Sequence, residues 1–302
     1  MRGSRRIVSV VAFLVMAQAV LGATGPGSRV SDYASARAAR ARGLTTPYGW
    51  MSLIALDWLK AGVSTVGSAA DNSIVLAGAP AHWVTLEQKD GKVRVIAAGA
   101  SVAFQGRVLG AGDLPLVVGS GEEDESALSS VTLKFWVIDR SGRRYLRVKD
   151  SQALALKQFH GLRWYAPNAR YRVEARWVPD ATPHVVQVPN KIGQVTSITV
   201  PGHVEFELNG TKQTMFPIEA EKDGLWFVFR DETYRHTTDG GGRFLTTDAP
   251  SNGLDKPGTV VLDFNRAVNP PCAYSPYATC PLAPKEDRLP IAVLAGEKRY
   301  DE

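Results

Sequence analysis

Side chains that can bind or transform a ligand concentrate in three segments of the second half of this 302-residue sequence. These are residues 159–165, residues 229–244 and residues 262–298, and they mix arginine, asparagine, histidine and cysteine with glycine and proline. A planar guanidinium binds carboxylate and phosphate groups through paired hydrogen bonds. Several arginines in loops therefore favour recognition of an anionic group.

The candidate ligand-binding residues are arginines and their polar neighbours in the last two segments. We predict that Arg243, Arg266 and Arg288 converge as a fork for a carboxylate or phosphate. The alternative is structural, because Asp263 close to Arg266 is also the pattern of a satisfied ion pair, and buried charges are seldom left unpaired. The full candidate set comprises Arg243, Arg266, Asn265, Asn269, Arg288 and Glu297.

An enzymatic role would rest on His236 and Asp263 as acid and base. The unperturbed pKa of histidine lies near physiological pH. His236 also precedes three consecutive glycines, which either let the backbone approach a ligand or form a flexible turn. The sequence lacks the nucleophile-elbow, zinc-protease, P-loop and dinucleotide-binding patterns. It thus predicts no metal and no cofactor, and an enzyme would be hydrolase-like.

The two cysteines, Cys272 and Cys280, enclose a short loop. In an exported protein, cysteines this close in sequence most often form a disulfide, which in the chain-entropy model contributes about 2–3 kcal/mol. A redox or metal role is the alternative. Against it, the cysteine spacing is not Cys-x-x-Cys, and the nearest histidine is distant in sequence. We predict a disulfide that fixes the loop.

The amino terminus has the pattern of a cleavable export signal. Three arginines precede an apolar run over residues 7–20, and small residues follow near Gly22. The run is shorter than the roughly 20 residues that cross a membrane, so residues 1–22 predict an exported protein of the periplasm, envelope or extracellular space, with no membrane span after cleavage. Removal leaves 32 Lys and Arg against 30 Asp and Glu, a net charge of +2. This balance excludes the nucleic-acid binders.

Paired turn residues predict a mainly β protein. Asp90-Gly91, Asn209-Gly210 and Asp223-Gly224 separate alternating strands, as type I′ hairpin turns do, and residues 135–148 form a looser hairpin. Helices are expected at residues 31–42 and 50–59 only, besides short connections. The predicted divisions are a signal at 1–22, a helical lead at 23–61, a β-sandwich at 62–155, and a larger antiparallel β domain at 156–302.

Residues 62–147 resemble forkhead-associated domains. The similarity lies in Gly67 after the first strand, the DNSIVL strand, a hairpin, a Gly-Asp turn and a final aromatic strand. The resemblance implies a β-sandwich. The family's phosphothreonine-binding groups do not carry over, because Ser68 stands at the arginine position and Gln105 at the asparagine position. We therefore interpret this region as a structural or protein-contact module.

The strings LDFNRAVNPPCA at residues 262–273 and YATCPL at residues 277–282 resemble a prokaryotic family, the domain of unknown function numbered sixteen eighty-four. The resemblance extends from about Gly49 to Lys298 and implies no established activity. This sequence departs from typical members at Val268, where they have tyrosine, and at Tyr234-Arg235, where they have Ser-Gly.

Three functions remain open from the sequence. The first is an exported protein that binds a small anionic or saccharide ligand through the arginine cluster. The second is a cofactor-independent enzyme that uses His236 and Asp263. The third is a structural envelope module, and the sequence identifies no protein partner for any of them.

Overall fold

The computed structural model describes residues 26–109 and 127–300, and the predicted signal at residues 1–22 lies outside them. The described residues form two compact units. Residues 54–109 and 127–152 make the first unit, and residues 26–53 and 153–300 make the second. Strands dominate both units, which confirms the prediction of a mainly β protein.

The first unit contains two sheets. One has the strand order β1-β10-β9-β8-β6-β7 and the other has the order β3-β2-β4-β5. Trp83 and Phe135, both almost fully buried, meet edge to face at 4.4 Å and join their cores. The ten strands are β1 Leu53–Leu59, β2 Gly62–Gly67, β3 Ile74–Val75, β4 Val84–Lys89, β5 Lys92–Ala98, β6 Ala103–Phe104, β7 Arg107–Val108, β8 Leu128–Ser130, β9 Leu133–Arg140 and β10 Arg143–Asp150.

The second unit combines two antiparallel sheets with an N-terminal helix. The sheets have the orders β13-β12-β11-β17 and β14-β15-β16. The strands are β11 Arg172–Pro189, β12 Val195–Leu208, β13 Thr211–Met215, β14 Glu219–Glu221, β15 Gly224–Phe229, β16 Arg243–Asp248 and β17 Gly258–Asp263. The helices are α1 Pro26–Thr45 and α2 Leu154–Lys157, with single 3-10 turns at Trp50–Ser52, Ala169–Tyr171, Phe264–Arg266 and Pro271–Ala273.

The predicted hairpins are present. Asp90, Gly91, Asn209 and Gly210 all have positive φ angles, as a type I′ turn requires. The turn between β14 and β15 is displaced by one residue, because Glu221 pairs with Gly224. The hairpin of β9 and β10 turns at Ser141-Gly142, which also have positive φ.

The predicted helix at residues 50–59 is wrong beyond its first turn. A 3-10 turn ends at Ser52, and Leu53–Leu59 form β1, which pairs with β10. Leu53 and Ala55 are buried with a partly exposed residue between them, so the period-two alternation of a strand applies at its start. Hydrogen bonds with β10 satisfy backbone N–H and C=O groups of this segment. The helix predicted at residues 31–42 is confirmed and is longer at both ends.

Aromatic side chains fill the core of the second unit. Trp177 from β11, Phe227 and Phe229 from β15, and Phe264 after β17 are fully buried in one cluster. Burial of an aromatic side chain stabilises a fold by about 1.5–3 kcal/mol. The Trp177 indole N–H donates to the carbonyl of Leu254 at 2.9 Å, so its polar atom is satisfied. This core anchors the strand ends from which the polar loops emerge.

Within the second unit, helix α1 packs on the β-rich part through polar contacts. The hydroxyl of Tyr33 donates to Asp263 at 2.7 Å, and the Arg37 guanidinium donates to the carbonyl of Tyr165 at 2.9 Å. Among residues 26–109 and 127–300, no helix has the length and apolar character needed to cross a membrane.

Candidate anion-binding site

A cavity of about 320 Å³ lies in the second unit where three loops meet. One loop joins β11 to β12, the second lies between β15 and β16, and the third is the proline- and cysteine-rich segment after β17. The residues lining the cavity are Pro189, Lys191, Arg230, Arg235, Asp239, Gly240, Gly241, Cys272, Leu282, Ala283 and Arg288.

Two of the cationic residues are held side by side by backbone pairing. Arg230 directly follows β15 and forms a parallel bridge with Arg288. Its N–H donates to the carbonyl of Asp287 at 3.0 Å, and its carbonyl accepts the N–H of Leu289 at 2.7 Å. The spacing between these arginines is therefore set by the main chain.

A compact turn over residues 231–238 presents the third cation, Arg235. Asp231 accepts bonds from the backbone N–H and the hydroxyl of Thr233, at 2.6 and 2.5 Å. The N–H of Arg235 donates to the carbonyl of Thr238 at 3.0 Å, and Arg235 has a positive φ of 63°. The turn is thus fixed by buried hydrogen bonds while its arginine side chain is exposed.

The ring of Tyr234 lies close to two of these guanidinium groups. The Arg230 guanidinium is 4.3 Å from the centroid of its ring and that of Arg235 is 5.8 Å from it. The negative face of an aromatic ring attracts cations. Tyr234 therefore lowers the cost of bringing the two arginines together without neutralising them.

The other two loops are joined to this wall by backbone bonds. The N–H of Leu282 donates to the carbonyl of Pro189 at 2.8 Å, and the N–H of Lys191 donates to that of Cys280 at 3.0 Å. Gly242 has a φ of 108°, and a Cβ there would lie 2.7 Å from the carbonyl oxygen of Phe229. At Gly242, a close approach of two backbone segments therefore requires glycine.

Four positive charges of the described residues face this cavity against one carboxylate. Among residues 26–109 and 127–300, Lys191, Arg230, Arg235 and Arg288 form no ion pair, whereas other arginines of this unit do. Burial, and then the charge of Arg288, lower the pKa of Arg230. Unpaired like charges held together repel one another, so an anion that enters gains their combined attraction.

The carboxylate is that of Asp239, which is partly buried. Burial raises the pKa of Asp239, although the N–H of Gly241, which donates at 2.7 Å, and the charge of Lys191 oppose this shift. The backbone of the glycine run thus holds Asp239, which is the one carboxylate among the described lining residues.

The six ligand-binding candidates predicted from the sequence are not brought together in one site. Arg288 lines the cavity, while Arg243, Asn265, Asn269 and Glu297 are almost fully buried in other hydrogen-bond networks. Arg266 is on the surface, where it pairs with Asp32 of α1.

Arg243 does not line the cavity but stabilises one of the loops that do. Its guanidinium forms an ion pair with Asp231 and donates to the carbonyls of Val293, at 3.1 Å, and Ala295. Because Asp231 also holds Thr233, the buried arginine stabilises the turn that carries Arg235. Arg243 is therefore a positioning residue for the cavity wall.

Asn269 and Glu297 belong to a second buried network. Glu297 accepts from the backbone and side-chain N–H groups of Asn269 at 3.1 and 3.2 Å, and also from the hydroxyl of Tyr274. Arg40 of α1 lies 3.6 Å from the same carboxylate. Burial raises the pKa of Glu297, against the effect of Arg40 and of the hydrogen bonds. These groups attach α1 and the C-terminal segment to the sheet.

The proposed catalytic pair, His236 and Asp263, is placed in two different environments. His236 is exposed in the turn over residues 231–238. The carboxylate of Asp263 accepts from the hydroxyl of Tyr33 at 2.7 Å and from both N–H groups of Asn265 at 3.2 and 2.9 Å. Asn265 in turn bonds the backbone of Asn168 in both directions. Asp263 thus caps the turn after β17 and holds α1.

The predicted disulfide is not formed, since Cys272 and Cys280 are both thiols. The backbone N–H of Cys272 donates to the sulfur of Cys280 at 3.1 Å, so that sulfur faces the main chain of its partner. Within the described ranges, no group of three or more His, Cys, Asp or Glu side chains is arranged to hold a metal ion.

Lys191, Arg230, Arg235 and Asp239 were missed as site residues by the sequence interpretation. Three of them lie in the segment at residues 229–244 whose composition drew attention, and arginines flanking Tyr234 were the available signal. Lys191 carries no such signal, because it reaches the cavity only through the long hairpin of β11 and β12.

Comparison with known proteins connects this unit to a family. The family model described as "Protein of unknown function (DUF1684)" matches residues 157–298; the resemblance seen in the sequence begins earlier, near Gly49, outside that match. A solution NMR structure of an uncharacterized protein from Haloarcula marismortui is 31% identical, with 47% of this chain and 78% of that chain covered and a TM-score of 0.39. The comparison with curated proteins finds no match.

Proposed function

The chain belongs, through residues 157–298, to the DUF1684 family of proteins of unknown function, and we propose on this premise that its second unit binds a small anionic ligand. The observation that carries the proposal is the cavity in which Lys191, Arg230, Arg235 and Arg288 face a single carboxylate. Their side chains are donors only, so a ligand with several acceptor oxygens satisfies them.

The cavity favours an anion over a saccharide. A sugar hydroxyl both donates and accepts, and so requires acceptor groups in the site as well as donors. Among the described residues of the lining, Asp239 is the only carboxylate, and one of its oxygens already accepts from Gly241. A volume of about 320 Å³ suits a compact molecule. The proposed ligand is therefore a small dianion that carries a phosphate group or two carboxylates.

Export remains part of the proposal. The arginines at positions 2, 5 and 6, followed by an apolar run and small residues near Gly22, support cleavage of residues 1–22 and work in the periplasm, envelope or extracellular space. Intact-mass measurement of the protein recovered from the culture medium or periplasm should give an amino terminus near residue 23. Recovery of the uncleaved chain in the cytoplasm would contradict this.

No contact among residues 26–109 and 127–300 favours the acid–base hypothesis over binding. Asp263 already accepts three hydrogen bonds, and no described hydrogen bond or ion pair links it to His236. His236→Ala should accordingly leave ligand binding unchanged. The structural-module hypothesis gives no role to the unpaired cations of the cavity, whereas the binding hypothesis does.

Titration calorimetry at low ionic strength tests the binding proposal with inorganic phosphate, succinate and glucose as probes. We expect the two anions to bind and glucose not to bind. Arg288→Ala removes one charged hydrogen-bond donor, worth about 1.5–3 kcal/mol, and should weaken anion binding roughly 10- to 100-fold. Arg235→Ala should have an effect of the same size.

Arg266→Ala is the matched control, because Arg266 is also a partly exposed arginine of this unit and pairs with Asp32 instead of lining the cavity. It should bind as the parent does. Equal loss in all three arginine variants would mean that general surface charge attracts the anion. Unchanged affinity in the Arg288 and Arg235 variants would refute the cavity as the site.

A further inference from the structure

The wall of the anion cavity contains one thiol, with a second thiol behind it. Cys272 is partly exposed and lines the cavity, whereas Cys280 is only 5% exposed. The bond from the Cys272 N–H to the Cys280 sulfur holds the second sulfur against the first residue. A molecule in the cavity therefore meets Cys272 first and Cys280 only through it.

The surroundings of Cys272 favour its thiolate. A hydrogen bond with the side chain of Cys280 is the chief cause that lowers the pKa of the Cys272 thiol, and Lys191 acts in the same direction. Burial and the charge of Asp239 oppose this shift without reversing it. The thiolate is the nucleophile in thiol chemistry, and Cys272 is the sulfur that the cavity makes accessible.

A glycine keeps the approach to this sulfur open. An ideal Cβ on Gly241 would lie 3.9 Å from the Cys272 sulfur and 3.1 Å from an Asp239 carboxylate oxygen. Any larger side chain at this position would stand beside the thiol and reduce the space in front of it. The absence of a side chain leaves room for a ligand group next to the sulfur.

We propose that Cys272 attacks a small anionic disulfide bound in the cationic cavity, and that Cys280 resolves the product. The inference rests on the proposed anion binding, because Lys191, Arg230, Arg235 and Arg288 are the groups that would select such a molecule. The substrate class is a low-molecular-weight disulfide that carries carboxylates on both halves.

The exchange balances in two steps. The Cys272 thiolate attacks one sulfur of the reagent, forms a mixed disulfide and releases one half of the reagent as a thiolate. Cys280 then loses its proton to solvent and attacks the Cys272 sulfur, which releases the second half. The protein is oxidised from dithiol to disulfide, and the reagent is reduced to two thiols. The disulfide predicted from the sequence is thus the product of the reaction.

The test compares two reagents with the same two-carbon spacer and opposite charge on the fully reduced chain. The reagents are 3,3′-dithiodipropionate, a dianion, and cystamine, a dication, and each rate is divided by its rate with 2-mercaptoethanol. We expect the anionic reagent to be at least about tenfold faster in this ratio, since each roughly 1.4 kcal/mol of attraction corresponds to a factor of ten. The preference should fall at high salt and in Arg288→Ala.

Mass spectrometry identifies the roles of the two sulfurs. The parent should end as an intramolecular disulfide without an adduct, Cys280→Ser should retain one half of the reagent on Cys272, and Cys272→Ser should react slowly. Arg266→Ala should behave as the parent. An adduct that persists in the parent, or first attack by Cys280, would overturn the assignment.

Failure of this inference is distinguishable from failure of anion binding. Anion binding is measured on the reduced parent with inorganic phosphate or succinate, separately from the exchange rates. If the parent binds the anion but shows no charge preference among the disulfides, the exchange proposal alone is refuted. If the parent binds no anion, the proposed function fails as well.

Discussion

At the scale of single residues, the buried ion pair between Arg243 and Asp231 decides the shape of the cavity wall. Both side chains are at most 2% exposed, and Asp231 also holds Thr233 in the turn that presents Arg235. Removal of one partner would leave a buried charge without compensation. Such a change typically costs about 3–5 kcal/mol.

We therefore expect Arg243→Ala to be among the most destabilising single substitutions of the second unit. Its free energy of unfolding, measured by urea denaturation, should fall by about 3–5 kcal/mol. Arg243→Lys, which keeps the charge but not the planar fork, should lose less and should bind anions more weakly than the parent. A stable Arg243→Ala protein with unchanged anion affinity would contradict the positioning role.

A second residue-scale prediction concerns Gly202 in β12. A Cβ there would lie 2.4 Å from the carbonyl oxygen of Val178 and 2.8 Å from the ring of Trp177. Gly202→Ala should destabilise the protein by at least about 1–3 kcal/mol, because backbone cannot yield as a side chain does. Gly43→Ala is the control, since a Cβ at Gly43 meets nothing within 4 Å and the residue lies in α1. It should be neutral or stabilising, so equal melting temperatures of the two variants would disprove the argument.

At the scale of elements, helix α1 is held by polar groups more than by an apolar face. Arg40 lies 3.6 Å from Glu297, and its guanidinium donates to the carbonyl of Asn269 at 2.8 Å. Leu44 is buried against Met51 and Tyr274 and supplies the main apolar contact near the end of the helix. The helix is consequently sensitive to the loss of single charged groups.

We expect Arg40→Ala to loosen α1 without unfolding the sheets. Hydrogen exchange at the amides of residues 32–45 should become faster by about tenfold or more, as the loss of one charged hydrogen bond predicts, while exchange in β11 and β12 should be unchanged. Arg42→Ala, an exposed arginine two positions on, should leave exchange as in the parent. Faster exchange throughout both sheets would instead mean that Arg40 contributes to the global stability of the second unit.

The turns were predictable from sequence and the first strand was not. Asp90-Gly91 and Asn209-Gly210 specify positive φ angles locally, so the hairpins follow from the dipeptides themselves. Leu53–Leu59 had helical spacing, and its conformation is decided by pairing with β10, almost a hundred residues later. Information of that kind lies in the tertiary structure.

The site shows the same limit. The segments that contain Arg230, Arg235 and Arg288 are rich in polar side chains, but only Arg288 is among the ligand-binding residues predicted from the sequence. Lys191 belongs to a hairpin loop whose neighbours are set by the pairing of Asn190 with Pro281. Arg243 and Glu297 were selected for their charge, and burial gives both of them a structural role.

At the scale of the whole molecule, buried carboxyl groups make stability depend on pH. Burial raises the pKa of Asp287 well above its usual range and also raises those of Glu297 and Asp239. Asp287 accepts from the N–H of Phe216 at 2.8 Å, and its other carboxylate oxygen is buried without a hydrogen-bond partner among the described residues. Charging this group inside the fold is therefore unfavourable.

The sign follows from proton binding. Between the ordinary carboxyl pKa near 4 and the raised pKa of the native state, the folded protein holds more protons than the unfolded chain, so stability falls as pH rises. We expect the free energy of unfolding to be greatest at mildly acidic pH and to decline towards neutrality. Urea midpoints measured from about pH 5 to pH 8 would show the decline.

Asp287→Asn isolates the largest contribution. The amide oxygen can keep the bond from Phe216 while the titrating proton is removed, so the decline with pH should become shallower and the variant should gain relative to the parent as pH rises. Asp32→Asn, at an exposed carboxylate on α1, serves as control and should leave the slope nearly unchanged. An identical slope in Asp287→Asn and the parent would refute the assignment.

The attachment of α1 determines how long a fragment must be to keep the contacts of the second unit. Tyr33 donates a hydrogen bond to Asp263, Arg40 lies 3.6 Å from Glu297, and the carbonyl of Leu53 accepts from the hydroxyl of Ser275 at 3.1 Å. A recombinant fragment cut at the limits of the family match, residues 157–298, loses all three partners. Asp263 would then lose the hydrogen bond from Tyr33, and Glu297 would lose the nearby charge of Arg40. The segment that keeps all these contacts is therefore longer than the segment that the family model matches.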